Sequence, residues 1–513
     1  MDTKDFDVII VGRGPVGLFL ACELRLQGLS VLIVERRNLT GTQGLDKAGE
    51  TRACVLHGRT IEILEDRGLL DKFMDKGMRL PWWHYGVLET RLQFSAFGDE
   101  TKQNCVLFAP QYKTEEIFEN HALELGVVIR LGFHVEALEQ TATTVRIYGT
   151  STSTAGDQSP FVATGKYLVG ADGWRSSVRT MAGFGYNHNA GTQTMLSVEA
   201  RPAEPMPPAI ITKNQAGLVI GCNLNVPSGR VRLVVWTPSR GHMPLSEPPT
   251  MEDFNQAMKE VTGKDWHLSD PVMLTRFSNE SGCVTEYRKG RVLLAGDAGH
   301  RHLPAGGQGM NTGIQESYNL GWKLGAVARG EHPDSLLDTY ESERLPVAQS
   351  VVDNTTAQSL LFFAHTRPEM AVREAMNRLL DIPEANRKLA KQISGFGYTY
   401  PTPLHMICPE GWEALSTNMT GERAVNFEFR VGNANGEERY LSDFMKKGKW
   451  VQLRFLDNGA RTSTVALPAF GEWTEVVDVV DILEAEGLNI SKYKSRFSEI
   501  LIRPDGHFGF GKL

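Results

Sequence analysis

This chain of 513 residues has few cysteines, no net positive charge and no long apolar run. Its six cysteines are widely spaced without a CxxC pair, which argues against a disulfide framework and a cysteine zinc site. The formal net charge of −7 predicts no binding to nucleic acid or to an anionic membrane. No apolar stretch approaches the ~18 residues of a membrane span. We therefore expect a cytoplasmic protein of roughly two to four domains, with reduced cysteines.

Other familiar chemical signatures are also missing. The chain has no Gly-x-Ser-x-Gly nucleophile motif and no Trp-x-Trp-x-Ile-Pro stretch of the kind found in flavin halogenases. His300 and His302 have no carboxylate or cysteine partner at ligand spacing, so we expect no metal site. The apolar run near the N-terminus belongs to a predicted strand and not to a signal peptide.

What is present begins with Gly12-Arg13-Gly14-Pro15-Val16-Gly17. A buried parallel strand is predicted before it, over residues 6–11, and a helix after it, over 16–27. In this context the first glycine permits a tight turn, the second lets the backbone approach a pyrophosphate, and the third allows close helix–strand packing. A second strand ends at Glu35, 23 positions after Gly12, where a carboxylate can accept from an adenosine ribose hydroxyl.

Two later segments complete the pattern. Asp172-Gly173 follows a predicted strand, and Gly296-Asp297 follows another and leads into a glycine-rich stretch that ends at Asn311. A helix that begins near Asn311 would aim its amide groups and positive dipole end at an anionic ligand. Together, in this order, the three segments predict FAD as the ligand.

The sequence resembles the class A FAD-dependent aromatic hydroxylases, in the phenol and polyketide hydroxylase branch with a C-terminal thioredoxin-like domain. The resemblance runs from Asp7 to about Asp505 and is strongest over 291–315 and 319–324. It implies an α/β fold: a Rossmann-like FAD-binding domain with an inserted β-sheet substrate domain and a C-terminal thioredoxin-like domain. The expected boundaries are 1–184 and 286–394 for the two parts of the FAD-binding domain, 185–285 for the inserted sheet and 395–513 for the last domain.

The resemblance also implies site residues. Arg52 is expected near the FAD phosphates and ribityl chain, Gln111 on the ribityl chain, and Pro304 beside the reactive flavin edge, where it cannot donate a hydrogen bond. The predicted cofactor-binding residues are Gly12, Gly14, Pro15, Val16, Gly17, Glu35, Arg36, Arg52, Gln111, Asp172, Gly173, Gly296, Asp297, Pro304, Gly307, Gly309, Met310 and Asn311.

The implied activity is a monooxygenase in which NADPH or NADH, as a transient co-substrate, reduces FAD, and O₂ forms a flavin C4a-hydroperoxide that oxygenates an aromatic substrate. Alternatives on the same scaffold are Baeyer–Villiger, epoxidising or dearomatising chemistry, a flavin reductase that makes no peroxide, and a non-catalytic FAD-binding module. Acid–base candidates are Arg276, Tyr287 and His57, beside Pro304 as a catalytic residue. A homodimer is left open.

The substrate is expected to be a large phenolic or polyketide-like molecule. Many relatives have a basic residue five positions before the tyrosine equivalent to Tyr287, and Gly282 stands there instead, which predicts an open volume without an anion anchor. Trp82, Trp83 and Tyr85 are predicted to wall an aromatic pocket. The single cysteine of the last domain, Cys408, argues against dithiol chemistry there.

Overall fold

The computed structural model describes residues 5–38, 53–74, 77–153, 156–223 and 229–400 and, after them, 404, 407–408, 412–414, 421–424, 426, 428–431, 438–455, 477–486 and 497–512. Strands and helices are numbered along the chain. The helices are α1 Pro15–Leu26, α2 Gly58–Asp66, α3 Leu70–Met74, α4 Gln111–Glu124, α5 Ser177–Met181, α6 Met251–Thr262, α7 Gly309–Ala328, α8 Asp338–Phe363, α9 Arg367–Leu380, α10 Pro383–Ser394 and α11 Leu441–Met445.

An eight-stranded sheet forms the centre of the molecule. Its strands are β1 Phe6–Val11, β2 Val31–Glu35, β8 Val128–Leu131, β9 Phe133–Gln140, β10 Val145–Thr152, β11 Gln158–Gly170, β19 Arg288–Lys289 and β20 Val292–Leu294. The main order is β19-β20-β11-β1-β2-β8, with β10 and β9 joined to β11. The pairs β1–β2, β1–β11, β11–β20 and β2–β8 are parallel, which confirms the predicted Rossmann-like α/β class. The three glycine-bearing segments therefore follow strands whose carboxyl ends share one edge.

A five-stranded antiparallel sheet occupies the predicted insertion. It contains β13 Thr194–Arg201, β14 Ala209–Asn214, β15 Gly217–Asn223, β16 Val231–Trp236 and β17 Ser269–Ser278, in the order β14-β15-β16-β13-β17. Because side chains alternate between faces, one face packs Leu196 and Val219 against α6. The opposite face packs Leu218 and Trp236 in one cluster with Leu303 of the glycine-rich segment. The sheet is thus held against that segment.

Short strands form three smaller sheets: β3 Val55–Leu56 with β7 Val106–Phe108 and β4 Met78–Leu80; β5 Trp82–Trp83 with β6 Leu92–Gln93; and β12 Tyr186–Asn189 with β18 Ser281–Val284 and β21 His300–Arg301. Residues 94–97 belong to 3₁₀ turns over Phe94–Glu100. After α7 the chain continues into three separate helices, α8, α9 and α10, because Thr366 caps α9 and Pro383 begins α10.

The C-terminal part contains a seven-stranded sheet in the order β22-β28-β27-β25-β26-β23-β24. Its strands are β22 Glu413–Ala414, β23 Glu428–Val431, β24 Glu438–Tyr440, β25 Trp450–Phe455, β26 Val477–Glu486, β27 Glu499–Ile502 and β28 Phe508–Lys512. Only β25 and β26 pair in parallel. The thioredoxin-like assignment of this part stays a prediction, as do the four domain boundaries.

A buried ionic cluster joins this C-terminal sheet to the two long helices beside the central sheet. Arg503 donates to both oxygens of Glu343 on α8, at 2.9 and 2.8 Å, and to Asp505 at 2.9 Å. Lys323 on α7 lies 2.6 Å from Glu343. All four side chains are at most 1% exposed. Burial raises the pKa of Glu343, but the charges of Arg503 and Lys323 outweigh it and lower the pKa to about 2.

Among the described helices, none combines the length and the hydropathy that a bilayer span requires.

We expect Arg503→Leu to lower the free energy of unfolding by about 3–5 kcal/mol, because it leaves Glu343 and Asp505 buried with one cation between them. The control is Arg378→Leu, which removes an exposed pair with Glu374 on α9 and should change stability by less than about 1 kcal/mol. Urea and thermal unfolding of both variants measure the difference. Equal, small effects would show that the cluster contributes nothing to stability.

Candidate active site

The first glycine segment is packed so tightly that two of its glycines admit no side chain. Gly12 has a φ of 112°, and a Cβ there would lie 2.3 Å from the carbonyl oxygen of Ala171. A Cβ on Gly17 would lie 2.1 Å from the carbonyl oxygen of Gly12. By contrast, a Cβ on Gly14 would meet nothing within 4 Å. Gly14 therefore faces open space at the start of α1, where Pro15 occupies the first turn.

The carboxylate of Glu35 lies beside this segment. It accepts hydrogen bonds from the backbone N–H groups of Arg13, at 3.0 Å, and Arg37, at 2.9 Å. Burial raises the pKa of Glu35, but these two N–H groups and the charge of Arg37 outweigh it and lower the pKa below its ordinary value. The group is therefore ionised and remains a hydrogen-bond acceptor. Arg36 is exposed.

Sequence reasoning passed over Arg13, a variable position within the glycine segment. Its side chain is 6% exposed and donates to Glu119 on α4, with Nε 2.7 Å from Oε1. This buried pair attaches the turn to a helix more than a hundred residues away in the chain. A charged residue at a variable position of the motif is the signal that could have indicated it.

The second segment touches both of the others. Asp172 accepts from the backbone of Ser177 at 2.7 Å and of Val178 at 3.2 Å, which caps α5. Its other oxygen, Oδ1, is buried without a hydrogen-bond partner. Arg179, on α5, donates to the carbonyl of Ala298 at 2.8 Å, beside the third segment. Gly173 has a φ of 80°, and a Cβ there would meet nothing within 4 Å.

The third segment places Asp297 in a 3₁₀ turn directly after β20. Its side chain is exposed, and no hydrogen bond from the described residues reaches it. Oδ1 of Asp297 lies 3.7 Å from the point where a Cβ on Gly309 would stand, at the start of α7. That helix begins without a side-chain cap and without an acidic residue in its first turn. Its first N–H groups are consequently available to an anionic or carbonyl group of a ligand.

A buried acid–base network supports this turn from below. Glu316 on α7 accepts from the backbone N–H of Gly296 at 2.6 Å, from the hydroxyl of Tyr287 at 2.8 Å and from His300 at 3.1 Å. Burial lowers the pKa of His300, but the charge of Glu316 outweighs it and the pKa is raised. Burial raises the pKa of Glu316, yet His300 brings it below its ordinary value. The two side chains therefore form an ion pair.

Tyr287 is fully buried in this network, and burial together with the charge of Glu316 raises its pKa far above the ordinary value. Its hydroxyl is committed to Glu316, so the structure gives it a positioning role beneath Gly296. The structure does not support the expected role of Tyr287 as an acid or base toward substrate. A neutral donor held against a buried carboxylate explains why a tyrosine stands there.

The glycine-rich loop after Pro304 is held by its carbonyl groups. Gly306 and Gly307 have φ values of 75° and 70°. The carbonyl of Gly306 accepts from Nε2 of His57 at 2.7 Å and from Nε1 of Trp83 at 3.0 Å. Burial lowers the pKa of His57 to about 4, so it is neutral when it donates. His57 and Trp83 therefore fix the loop conformation, and Pro304 remains exposed beside it.

Asn311 ties the loop to strand β3. It donates to the carbonyls of Val55, at 2.9 Å, and Gly307, at 2.8 Å, and accepts from the backbone of His57 at 2.8 Å. Its side chain thus makes protein contacts, while the neighbouring Met310 is 8% exposed. Gln111 is similarly engaged, with Ala53 at 3.2 Å and Glu115 at 2.8 Å. Arg52 lies outside the described residues.

The expected open volume at Gly282 is wrong in this structure, and the surroundings of Arg276 give no support to its candidate acid–base role. A Cβ on Gly282 would lie 2.5 Å from the carbonyl oxygen of Asn187 and 2.6 Å from the ring of Tyr186, so no open volume exists there. Arg276 pairs with Leu196 in the sheet register, on the face that packs toward α6, and donates to the carbonyl of Glu247 at 3.2 Å. It therefore points away from the glycine-rich loop and does not support an acid–base role.

Of the predicted aromatic walls, Trp83 and Tyr85 are buried and Trp82 is half-buried beneath the guanidinium of Arg91. Trp83 and Tyr85 pack with Val55 and Leu361 in one cluster. Four half-buried side chains of the inserted sheet face the same loop from the other side: Ile211, Ile220, Val234 and Phe277. Aromatic and aliphatic side chains therefore lie on both sides of the loop, and those of Trp83 and Tyr85 are buried within their cluster.

Sequence reasoning missed His84, which lies between two of the named aromatics. Its ring is 4.9 Å from that of Trp83 and 6.2 Å from that of Phe362, between centroids. The side chain is 5% exposed, and no hydrogen bond from the described residues reaches it, with Nδ1 fully buried. Burial lowers its pKa to about 3, so the imidazole is neutral. An ionisable residue inside an aromatic run was the available signal.

The residues present fit a flavin dinucleotide. The open side of Gly14 admits a pyrophosphate, and Glu35 offers an ionised acceptor about 20 residues further on. The buried, unpartnered Asp172 Oδ1, the exposed Asp297 carboxylate and the uncapped α7 lie around the same edge of the central sheet. In the described part of the chain, no three His, Cys, Asp or Glu residues group together as metal ligands.

Comparison with protein families agrees with this geometry. The pattern that defines the FAD binding domain family matches residues 5–355. An uncharacterized aromatic compound monooxygenase of Bacillus subtilis is 33% identical over 513 residues, covering 98% of this chain and 93% of that protein. The 12-dehydrotetracycline 5-monooxygenase/anhydrotetracycline 6-monooxygenase of Streptomyces rimosus is 35% identical over 512 residues, with coverage of 98% and 94%.

Solved structures give the same result. The anhydrotetracycline hydroxylase OxyS from Streptomyces rimosus superposes with a TM-score of 0.82 at 34% identity, over 99% of this chain and 96% of that chain. CabE, an aromatic hydroxylase from angucycline biosynthesis, gives a TM-score of 0.82 at 30% identity, over 99% and 97%. The similarity therefore includes the C-terminal sheet as well as the dinucleotide-binding part.

We expect Gly14→Val and Asp297→Ala each to weaken FAD binding by at least about tenfold, because one blocks the open side of α1 and the other removes a hydrogen-bond acceptor. Both variants should fold, because neither position contributes to packing in the protein interior. Gly17→Ala is the contrasting variant: its Cβ overlaps the carbonyl of Gly12, so it should unfold at lower denaturant concentration. Bound flavin absorbance and apoprotein unfolding curves separate the two effects. Retention of FAD by both site variants would refute the assignment of this groove.

Proposed function

This chain belongs to the FAD-binding family of flavin-dependent aromatic monooxygenases, and from that premise we propose that it inserts one atom of O₂ into a phenolic or polyketide-like aromatic substrate at the expense of NADPH or NADH. The observation that carries the proposal is the convergence of three glycine-bearing segments on one strand edge, with Gly14 and Asp297 open to a ligand and the buried Oδ1 of Asp172 without a partner among the described residues. Bound FAD would supply the activation of O₂.

The chain's own residues would then hold and orient the cofactor. In this proposal, Glu35 accepts from a ribose hydroxyl, the start of α1 holds the pyrophosphate, and Asp297 accepts from a ribityl hydroxyl. The first N–H groups of α7 stabilise negative charge on the flavin ring. His57 and Trp83 would not contact the cofactor themselves. Their hydrogen bonds to the Gly306 carbonyl keep the loop in the conformation that leaves Pro304 exposed.

The apolar face of the inserted sheet supports a multi-ring substrate. Ile220, Val234 and Phe277 retain accessible surface on the side of the glycine-rich loop, and Phe362 and Phe363 of α8 belong to the same cluster. Burial of aromatic faces contributes roughly 25 cal/mol per Å², which orients a large ring system without an ion pair. The expected preference for large phenols rests on this surface and no longer on Gly282.

His84 is the residue we propose for the substrate hydroxyl. Buried polar groups normally have a hydrogen-bond partner, and this neutral imidazole lies among Trp83 and Phe362 without one from the described residues. A phenol hydroxyl can donate to one ring nitrogen of a neutral histidine. Such a bond would orient the ring and accept proton density from the oxygen while the ring carbon is attacked.

Turnover with ¹⁸O₂ tests the reaction. We expect the purified protein to be yellow, and we expect emodin or anhydrotetracycline to stimulate NAD(P)H oxidation more strongly than 4-hydroxybenzoate does. One labelled oxygen should appear in a product hydroxyl. Label in a ring ester would establish Baeyer–Villiger insertion, and NAD(P)H oxidation with unlabelled organic products would establish a reductase. A preference for the one-ring carboxylate would contradict the proposed substrate class.

His84→Phe tests the substrate contact, because it keeps an aromatic ring between Trp83 and Phe362 and removes both nitrogens. We expect a multi-ring phenol to bind about tenfold more weakly, the value of one neutral hydrogen bond, with FAD content and folding unchanged. The control is the methyl ether of the same phenol, which should bind both proteins equally. Equal losses for phenol and ether would show that His84 serves only packing.

A further inference from the structure

Two cysteines from distant parts of the chain meet between the inserted sheet and the FAD-binding part. Cys54 immediately precedes β3, and Cys222 lies in β15. Their sulfur atoms are 4.0 Å apart although the residues are separated by 168 positions. Both thiols are reduced in this structure. Cys22 and Cys408, by comparison, direct their sulfur atoms to the backbone carbonyls of Phe118 and Trp412.

The pair lies where the inserted sheet meets the strand that supports the glycine-rich loop. These two elements stand on either side of the proposed substrate space. Cys222 shares its face of β15 with Leu218 and Ile220, because side chains alternate along a strand, and that face is the one turned toward the glycine-rich loop. Cys54 precedes Val55, whose carbonyl is bound by Asn311 and whose Cβ lies 3.3 Å from the position of a Cβ on Gly307. The sulfur contact therefore connects the sheet to the strand that supports this loop.

The surroundings distinguish the two sulfur atoms. Arg232 pairs with Cys222 in the register of β15 and β16, and its guanidinium acts on Cys54. The thiol of Cys222 lowers the pKa of Cys54, burial opposes this, and the charge of Arg232 lowers it further. The same thiol contact and burial raise the pKa of Cys222. Cys54 is thus the nucleophilic sulfur and Cys222 the protonated neighbour.

Access also differs between them. Cys54 is partly exposed, whereas Cys222 is 8% exposed. A small neutral oxidant such as hydrogen peroxide can therefore reach Cys54 first. A partly exposed thiol of lowered pKa beside a resolving thiol and a cation is the arrangement of a reversible redox site.

We propose that Cys54 and Cys222 are a hydroperoxide-reactive pair whose oxidation forms a disulfide between the inserted sheet and the FAD-binding part. The Cys54 thiolate attacks one peroxide oxygen: an S–O bond forms, the O–O bond breaks, and the leaving hydroxide takes a proton to give water. The Cys222 sulfur then attacks Cys54 sulfenic acid; the S–S bond forms, the S–O bond breaks, and its proton leaves with the hydroxide as a second water. Two thiols lose two electrons, and one peroxide becomes two waters.

The bond requires the sulfur atoms to approach from 4.0 Å to about 2.05 Å, a movement of about 2 Å. Because it closes a long loop, the cross-link constrains the unfolded chain and should raise Tm by several degrees. It also fixes β15 relative to β3 on either side of the proposed substrate space. The proposal does not depend on the proposed function, since its readout is the state of the thiols.

The experiment treats the purified holoenzyme with a few equivalents of hydrogen peroxide, blocks free thiols with N-ethylmaleimide and maps peptides without reduction. We expect a peptide pair joined through Cys54 and Cys222, lighter by two hydrogen atoms and released by dithiothreitol. Cys54→Ser and Cys222→Ser should each abolish it, whereas the matched variant Cys105→Ser, at another buried cysteine, should retain it. In Cys222→Ser, dimedone should trap Cys54 as its sulfenic acid.

Three results would overturn the proposal: both thiols remaining alkylated by maleimide after excess peroxide, a disulfide that joins other cysteines instead, or Cys54 remaining reduced in Cys222→Ser. Circular dichroism of each serine variant establishes that it folds. A folded double variant, Cys54→Ser with Cys222→Ser, should show no peroxide-dependent rise in Tm. A rise of equal size in that variant would assign the effect to another group.

Discussion

The structure depends on one close approach at the edge of the central sheet, where glycine backbone lies directly against neighbouring backbone and against the side chain of Val16. Gly12 lies against the carbonyl of Ala171, Gly17 against that of Gly12, and both Gly296 and Gly313 enclose the side chain of Val16. Each of these contacts would overlap a Cβ, so the three segments can converge only where glycine stands. The ligand groove is the consequence, because the same convergence leaves Gly14 and Asp297 facing outward.

The buried charge of Glu316, next to this edge, is balanced by protein groups and needs no ligand. Glu316 is satisfied by His300, Tyr287 and the backbone of Gly296, so it fixes the turn while Asp297 stays available. The buried carboxylate of Glu316 fixes the conformation of the turn, whereas the exposed carboxylate of Asp297 is available to a ligand. A second balanced cluster, around Arg503 and Glu343, attaches the C-terminal sheet to α7 and α8. In both places α7 carries one of the participating side chains, which makes this helix the link between cofactor edge and C-terminal part.

The side of the glycine-rich loop proposed for the substrate is built differently, from apolar side chains with few polar atoms. The inserted sheet presents Ile220 and Phe277, and the buried Trp83 lies on the opposite side, where its indole nitrogen donates to the carbonyl of Gly306. His84 is the polar exception within this wall, and the thiols of Cys54 and Cys222 meet where the two walls join. In the proposed function, a surface of this kind would select substrates by size and aromatic area, with one hydrogen bond from the substrate to His84 to set the orientation.

The sequence by itself determined the parallel strands, the turn at Gly12, the position of the Asp297 carboxylate in a turn after a strand, and the cofactor class. Each of these depends on residues that are close together in the chain. Only the tertiary structure decided which polar residues face the ligand. Tyr287 and Arg276 were candidate acid–base residues, but the hydroxyl of Tyr287 is buried against Glu316 and the sheet register turns Arg276 away from the glycine-rich loop. The space expected at Gly282 is occupied by Tyr186. Such outcomes depend on partners tens or hundreds of positions away, and no local pattern records which side chain will occupy a given space.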